Sequence, residues 1–116
     1  MGAGLRDIAP REVYSVKVAE TAGTGDFEVV EEVAGKKIVV IGFFVTCGAA
    51  NTITFESDNQ STTPTALTGA MTVNANGWIK GNYNPDGHFN TIAGERLIVA
   101  RGGSVSVHGW LNYYLE

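Results

Sequence analysis

The sequence Asn82-Tyr83-Asn84-Pro85-Asp86-Gly87-His88-Phe89 lies between short apolar segments and predicts a tight reversal of the chain. Proline fixes φ within a turn, and glycine accepts the positive φ that other residues resist. Further turn signals occur on both sides, at Leu67-Thr68-Gly69, Asn76-Gly77-Trp78 and Ala93-Gly94-Glu95. Because these turns separate short segments rich in β-branched and aromatic residues, the sequence predicts an all-β domain.

Alternating apolar and polar residues indicate strands along most of the chain. The predicted strands begin near Tyr14, Phe27, Lys37, Asn51, Ala66, Gly77, Glu95 and Ser104. Eight or nine strands without a helix require a sandwich or a barrel. The count favours an antiparallel β-sandwich of the eight-stranded jelly-roll type, with an immunoglobulin-like sandwich as the alternative. We expect residues 1–12 to form a short N-terminal arm and residues 13–116 to form the single sandwich domain.

Composition and charge exclude several classes of partner. A net charge of -4 argues against nucleic acid, because phosphate binding requires a clustered positive face. The longest apolar run, residues 38–47, is about half as long as a membrane span requires. The first residues lack the apolar stretch of a secretory signal, so we expect folding in a cytoplasm and no membrane partner.

The sequence contains no pattern that indicates catalysis or a bound cofactor. His88 and His108 are distant in sequence, and Cys47 is the only cysteine. A metal site would require the fold to bring these residues together with a carboxylate, as in a cupin-like enzyme. We therefore predict a protein that is not an enzyme and has no catalytic residue, no metal and no cofactor.

The last predicted strand carries two different faces. One face is mainly apolar and consists of Val105, Val107, Gly109, Leu111 and Tyr113. The other face consists of Ser106, His108, Trp110, Asn112 and Tyr114, and its last four residues are the candidate interface residues of this strand. Amphipathic aromatic residues on an outer face suit an interface with a subunit, another protein or a sugar. The alternative interpretation is a strand that is buried on both faces.

Residues 37–46 form a second candidate interface segment, because they are apolar on both faces. Their β-branched content indicates a strand with two covered faces rather than a helix. We expect one face to meet the core and the other to meet a neighbouring subunit or the arm. Phe43 and Phe44 are the candidate interface residues of this segment. Trp78, which follows a turn, is instead predicted to anchor the core.

The chain from about residue 36 to residue 115 resembles small bacteriophage virion proteins that are described as head decoration, cement or structural proteins. Five motifs carry the resemblance: Leu67-Thr68-Gly69, Asn76-Gly77, Tyr83-Asn84-Pro85-Asp86-Gly87-His88-Phe89, Gly94-Glu95-Arg96-Leu97 and Gly109-Trp110-Leu111-Asn112-Tyr113. In that group, similar turns precede a final alternating strand. The first 35 residues carry no such resemblance.

The resemblance implies a β-sandwich that assembles as a homotrimer, binds the major capsid protein and reinforces the capsid without catalysis. It implies synthesis in the host cytoplasm and a final location on the capsid surface of the virion. In the arm, the candidate capsid contacts are Leu5, Arg6, Ile8 and Arg11. The alternative function is a carbohydrate- or receptor-binding module of a phage tail, with Trp110, Asn112 and Tyr114 as a platform for a sugar.

Overall fold

The computed structural model describes residues 11–21, 23 and 25–116, and these residues form ten β-strands and no helix. The strands are β1 (Tyr14–Glu20), β2 (Phe27–Val30), β3 (Ile38–Cys47), β4 (Asn51–Asp58), β5 (Thr65–Ala66), β6 (Met71–Val73), β7 (Trp78–Gly81), β8 (Phe89–Asn90), β9 (Arg96–Arg101) and β10 (Val107–Leu115). None of the described residues belongs to a helix with the length and apolarity needed to cross a membrane. The predicted arm residues Leu5, Arg6 and Ile8 lie outside the described residues, and the boundary at residue 12 stays a prediction.

The ten strands form two antiparallel sheets. In the first, which we call the β10 sheet, the order is β1-β10-β3-β7, and β8 also pairs with β3. In the second, the β9 sheet, the order is β2-β9-β4-β5, and β6 also pairs with β4. The prediction of an all-β chain with two antiparallel sheets is confirmed. The strand order is compatible with a jelly roll in which two of eight strands are interrupted, and that finer assignment stays a prediction.

The inner faces of the two sheets enclose one hydrophobic core. Its buried members are Val18, Val30, Ile38, Val40, Phe43, Val45, Cys47, Ile53, Phe55, Val73, Leu97, Val99, Val107 and Leu111. The ring of Phe55 in the β9 sheet lies 5.3 Å from Phe43 and 5.0 Å from Phe89, both in the β10 sheet, between ring centroids. These aromatic contacts join the two sheets. Cys47 is a buried free thiol, and burial raises its pKa.

The reversal predicted at the Pro-Asp-Gly sequence is confirmed. The N–H of Gly87 donates to the carbonyl oxygen of Asn84 at 2.9 Å, and Gly87 has a φ of +91°. The segment between β7 and β8 then follows the edge of β3. There, the N–H groups of Asn84 and His88 donate to the carbonyl oxygens of Ile41 and Val40, each at 2.8 Å.

Candidate functional site

Three aromatic side chains from neighbouring strands line up across the outer face of the β10 sheet. They are Trp78 on β7, Phe44 on β3 and Trp110 on β10, and we call them the aromatic strip. The ring centroid of Phe44 lies 5.8 Å from that of Trp78 and 6.4 Å from that of Trp110. The ring planes differ by 27° and 18°, so both tryptophans stack with the phenylalanine.

The two tryptophans of the strip are exposed to solvent. Trp78 is 55% exposed and Trp110 is 46% exposed, whereas Phe44 between them is partly buried. Exposed apolar side chains that stand alone are common, but a contiguous aromatic group on a sheet face marks an interaction surface. The strip is therefore the strongest candidate for a functional site among the described residues.

A bulge in β3 places Phe44 on the outer face. Asn112 pairs with Gly42, but the next residue of β10 pairs with Val40, so Ile41 is an extra residue in β3. Phe43 consequently faces the core and Phe44 faces out. Because Phe44 pairs directly with Trp110, the bulge brings these two rings together.

Lysine side chains flank the aromatic strip. The Lys80 ammonium lies 5.5 Å from the ring centroid of Trp78, within the range of a cation–π contact. Lys17 on β1 pairs with Trp110 across the strands. Both lysines occupy outward positions of their strands, so the strip has a cationic border.

Polar groups of β10 complete this face. His108 is exposed and lies two residues before Trp110 on the same side of the strand. The side-chain oxygen of Asn112, two residues after Trp110, accepts a hydrogen bond from the Ser15 hydroxyl at 2.5 Å. The structure therefore brings together four of the predicted interface residues, which are Phe44, His108, Trp110 and Asn112.

The other two predicted interface residues are not exposed. Phe43 is 7% exposed and packs in the core, so it is not a surface residue as the sequence predicted. The bulge at Ile41 directs its side chain inwards. Tyr114 lies on the predicted face of β10 but is only 5% exposed. It clusters with Val39 and Ile41 on the outer side of the sheet.

Arg11, a predicted capsid contact in the arm, contacts its own domain. Its guanidinium lies 4.2 Å from the ring centroid of Tyr114 and donates a hydrogen bond to the carbonyl oxygen of Pro85 at 2.9 Å. This contact covers the tyrosine ring, and it joins the beginning of β1 to the turn between β7 and β8. In this arrangement, Arg11 is a structural link.

Sequence reasoning missed Trp78 as a surface residue. The prediction that it anchors the core is wrong, because it lies on the outer face of β7. The alternation of Trp78, Ile79 and Lys80 in the sequence could have predicted an exposed Trp78. In the structure, Ile79 packs against the core. With Ile79 directed inwards, its two neighbours must be directed outwards.

The two histidines do not meet. The Nε2 atom of His88 lies 2.6 Å from the carbonyl oxygen of Asn82, whereas His108 lies on the outer face of β10. Among residues 11–21, 23 and 25–116, no three His, Cys, Asp or Glu side chains are grouped so that they could hold a metal ion.

The outer face of the β9 sheet is acidic, in contrast to the face with the strip. Arg96 joins two of its carboxylates, at 3.2 Å from Glu28 and 2.6 Å from Asp58. Burial and the neighbouring charges of Asp26 and Asp58 raise the pKa of Glu56. The two outer faces of the sandwich therefore carry opposite charges.

Asp58 is stabilised in its ionised form. The backbone N–H of Gln60 donates to its carboxylate at 3.0 Å, and Arg96 donates through Nε at 2.7 Å. The hydrogen bond from Gln60, and then the contact with Arg96, lower the pKa of Asp58. Glu56 and Asp58 thus have pKa values that are shifted in opposite directions on the same strand.

We expect opposite effects of Asp58→Asn and Glu56→Gln on the free energy of unfolding at pH 7. Asp58→Asn should lower it by about 1–2 kcal/mol, because charged hydrogen bonds are lost. Glu56→Gln should raise it by less than about 1 kcal/mol, because a repelled charge is removed. Urea unfolding at pH 7 measures both changes.

The same two variants should lose their effects in acid. The stabilisation by Asp58 is complete above its unfolded pKa of about 3.9 and is lost as the pH falls through its lower folded pKa. The penalty from Glu56 exists above its raised folded pKa and disappears as the pH falls towards its unfolded value of about 4.3. Equal effects of the two variants at pH 7 would contradict this account.

No protein-family model and no curated protein matches the sequence. Among solved structures, the fold is similar to a chain in the acidic stable capsid structure of Helicobacter pylori bacteriophage KHP30. The similarity has a TM-score of 0.56 and covers 90% of this chain and 90% of that chain, at 8% sequence identity. At this identity, the similarity shows a shared β-fold.

Proposed function

We propose that this chain is a non-enzymatic structural protein of a bacteriophage virion, which decorates or cements the capsid surface. The observation that carries the proposal is the fold similarity to a chain of a phage capsid structure over 90% of both chains. The turn motifs that resemble those of virion decoration proteins support it from the sequence. The exposed aromatic strip adds a surface that suits a stable protein contact.

In this proposal, the protein binds the major capsid protein as a homotrimer. Three modest contacts held in one rigid assembly act together, and avidity can exceed the single affinity by about 10²–10⁴-fold. Such a trimer would link neighbouring capsid subunits and oppose their separation. The arm residues Leu5, Arg6 and Ile8 stay proposed contacts with the capsid.

The proposal predicts a measurable mass and a measurable binding reaction. Light scattering coupled to size exclusion should give about three times the chain mass of 12.3 kDa. The purified protein should co-sediment with capsids of its phage and saturate a fixed number of sites. It should also raise the temperature at which those capsids dissociate. If the protein is a monomer and still binds capsids, only the proposed trimer is contradicted. If the protein does not bind capsids, the proposed decoration function is contradicted.

A carbohydrate- or receptor-binding module of a phage tail is the second candidate function. Trp110 favours it, because this half-exposed indole lies beside the polar side chain of Asn112 on one face. A glycan array probed with the purified protein tests it. Binding to a defined glycan that disappears in Trp110→Ala would support this function, and no binding to any glycan on the array would count against it.

A further inference from the structure

We propose that the aromatic strip, together with Lys17 and Lys80, is the surface that docks on the capsid, and that it binds an acidic patch of the capsid protein. We call these five residues the docking face. This inference rests on the proposed function, because it names the surface and the partner chemistry of the same binding event. It adds Trp78, Lys17 and Lys80 to the residues that the sequence indicated.

The charge of this face argues for an acidic partner. Within the strands of the β10 sheet, the charged side chains that occupy outward positions are Lys17 and Lys80. The chain as a whole has a net charge of -4, so this cationic border is a local feature. Complementary charge sets the orientation and the rate of association, and the apolar centre supplies affinity.

The stacking of the rings argues for a protein rather than a sugar. A sugar ring binds by its face to a free aromatic face, but Phe44 is stacked between the two tryptophans. The ring of Trp78 also carries the Lys80 ammonium. Phe44 therefore occupies one face of each tryptophan ring, and Lys80 lies against the ring of Trp78. An apolar centre with a charged border is the arrangement of a protein interface.

A second copy of this chain is a poor partner for the docking face. The acidic side chains on the outer face of the β9 sheet, Glu28, Glu56 and Asp58, lie on the opposite side of the sandwich, and Arg96 already pairs with two of them. A contact between the basic face of one copy and the acidic face of the next is heterologous, and its two faces point in opposite directions. Such a contact builds an open filament instead of a closed trimer. The subunit contact of a closed trimer therefore does not pair these two faces.

Two double variants and two single-site controls test the inference. Trp78→Ala with Trp110→Ala removes the apolar centre, and Lys17→Glu with Lys80→Glu reverses the charged border. Ile92→Ala is the apolar control, because Ile92 is 48% exposed but lies outside the strip. Lys36→Glu is the charge control, since Lys36 is exposed in the turn between β2 and β3.

The measurements are capsid affinity by co-sedimentation, solution mass by light scattering and the unfolding temperature. Each double variant should weaken capsid binding by about 100-fold or more and keep the solution mass of the wild type. The lysine variant should keep the unfolding temperature of the wild type, whereas the tryptophan variant should unfold at a lower temperature, because the stacking on Phe44 is lost. The two controls should bind within about threefold of the wild type. Added salt should weaken wild-type binding, because the lysine contacts are screened.

Each contrary outcome has a distinct meaning. If the wild type binds capsids and both double variants bind equally well, the docking face is overturned and the proposed function stands. If the tryptophan variant loses its trimeric mass, the strip is a subunit contact and the inference is overturned. Glycan binding that requires both tryptophans would overturn it in favour of a sugar platform. If the wild type itself does not bind capsids, the proposed function fails and the inference with it.

Discussion

Gly109→Ala is expected to lower the free energy of unfolding by about 3–5 kcal/mol, a large fraction of the roughly 5–15 kcal/mol that is typical of a folded domain. Gly109 lies in β10 between β1 and β3, opposite Val18 and Val45. A Cβ atom at this position would collide with the carbonyl oxygen of Phe44 on the neighbouring strand. The residue also has a φ of +153°, which side chains disfavour.

The size of this effect follows from what surrounds the collision. The atoms that a methyl group would meet belong to the backbone of β3, including the Cα atom of Val45 at 3.0 Å. Backbone in a central strand cannot rotate away as a flexible side chain can. Relief would require β3 and β10 to separate, and the hydrogen bonds of their ladder would weaken.

Gly69→Ala is the matched control, because a Cβ atom there would meet nothing within 4 Å. It should change the free energy of unfolding by less than about 0.5 kcal/mol. Urea unfolding followed by tryptophan fluorescence measures both variants. A loss below about 1 kcal/mol in Gly109→Ala would show that β10 can shift to accept the methyl group.

The outer face of β10 could be predicted from sequence because strict alternation marks it. Val107 and Leu111 on one face of the strand are fully buried, whereas Trp110 on the other face is exposed. Polar residues on one side and aliphatic residues on the other specify the orientation of such a strand. The turns could be predicted for a similar reason, since proline and glycine restrict the local backbone conformation.

The orientation of β3 could not be predicted in the same way. Its ten residues are apolar except for Gly42 and Thr46, so no pattern of polar positions marks a face. The bulge at Ile41 then reverses the alternation, because one extra residue moves every later side chain to the other side. The assignment of Phe43 to the core and Phe44 to the surface follows from pairing with β10, which is a tertiary contact.

Tyr114 illustrates a second limit of sequence reasoning. Its position in β10 predicts an outward side chain, and the structure agrees. Its burial results from Arg11, which lies at the other end of the chain, and from neighbours on β3. Alternation specifies the direction of a side chain, but contacts with distant segments determine whether solvent reaches it.

Arg101 makes a buried contact that joins two loops at one end of the sandwich. Its side chain is 2% exposed. The guanidinium donates to the carbonyl oxygens of Thr21 at 2.8 Å, Gly25 at 3.1 Å and Val105 at 2.9 Å. It also lies 5.1 Å from the ring centroid of Phe27. One side chain therefore fixes the connection between β1 and β2 to the connection between β9 and β10.

Arg101→Met is expected to lower the free energy of unfolding by about 3 kcal/mol. Methionine keeps an unbranched side chain, so the main loss is the set of charged hydrogen bonds and not the packing. The carbonyl groups of Thr21, Gly25 and Val105 would then need new donors, and each one left without a partner costs about 1–3 kcal/mol. Water that enters at the loops should reduce the total below the sum of these costs.

Lys36→Met serves as the control for this variant, since it removes an exposed cation and should cost less than about 0.5 kcal/mol. Urea unfolding gives the free energies, and hydrogen exchange at the N–H of Val105, which donates to the carbonyl oxygen of Gly103 at 2.9 Å, reports on the loop between β9 and β10. Faster exchange there, with protection retained in β3 and β10, would locate the loss at the Arg101 contact. If Arg101→Met is as stable as the control, the three hydrogen bonds of Arg101, its ion pair with Glu20 and its contact with Phe27 together contribute nothing net to stability.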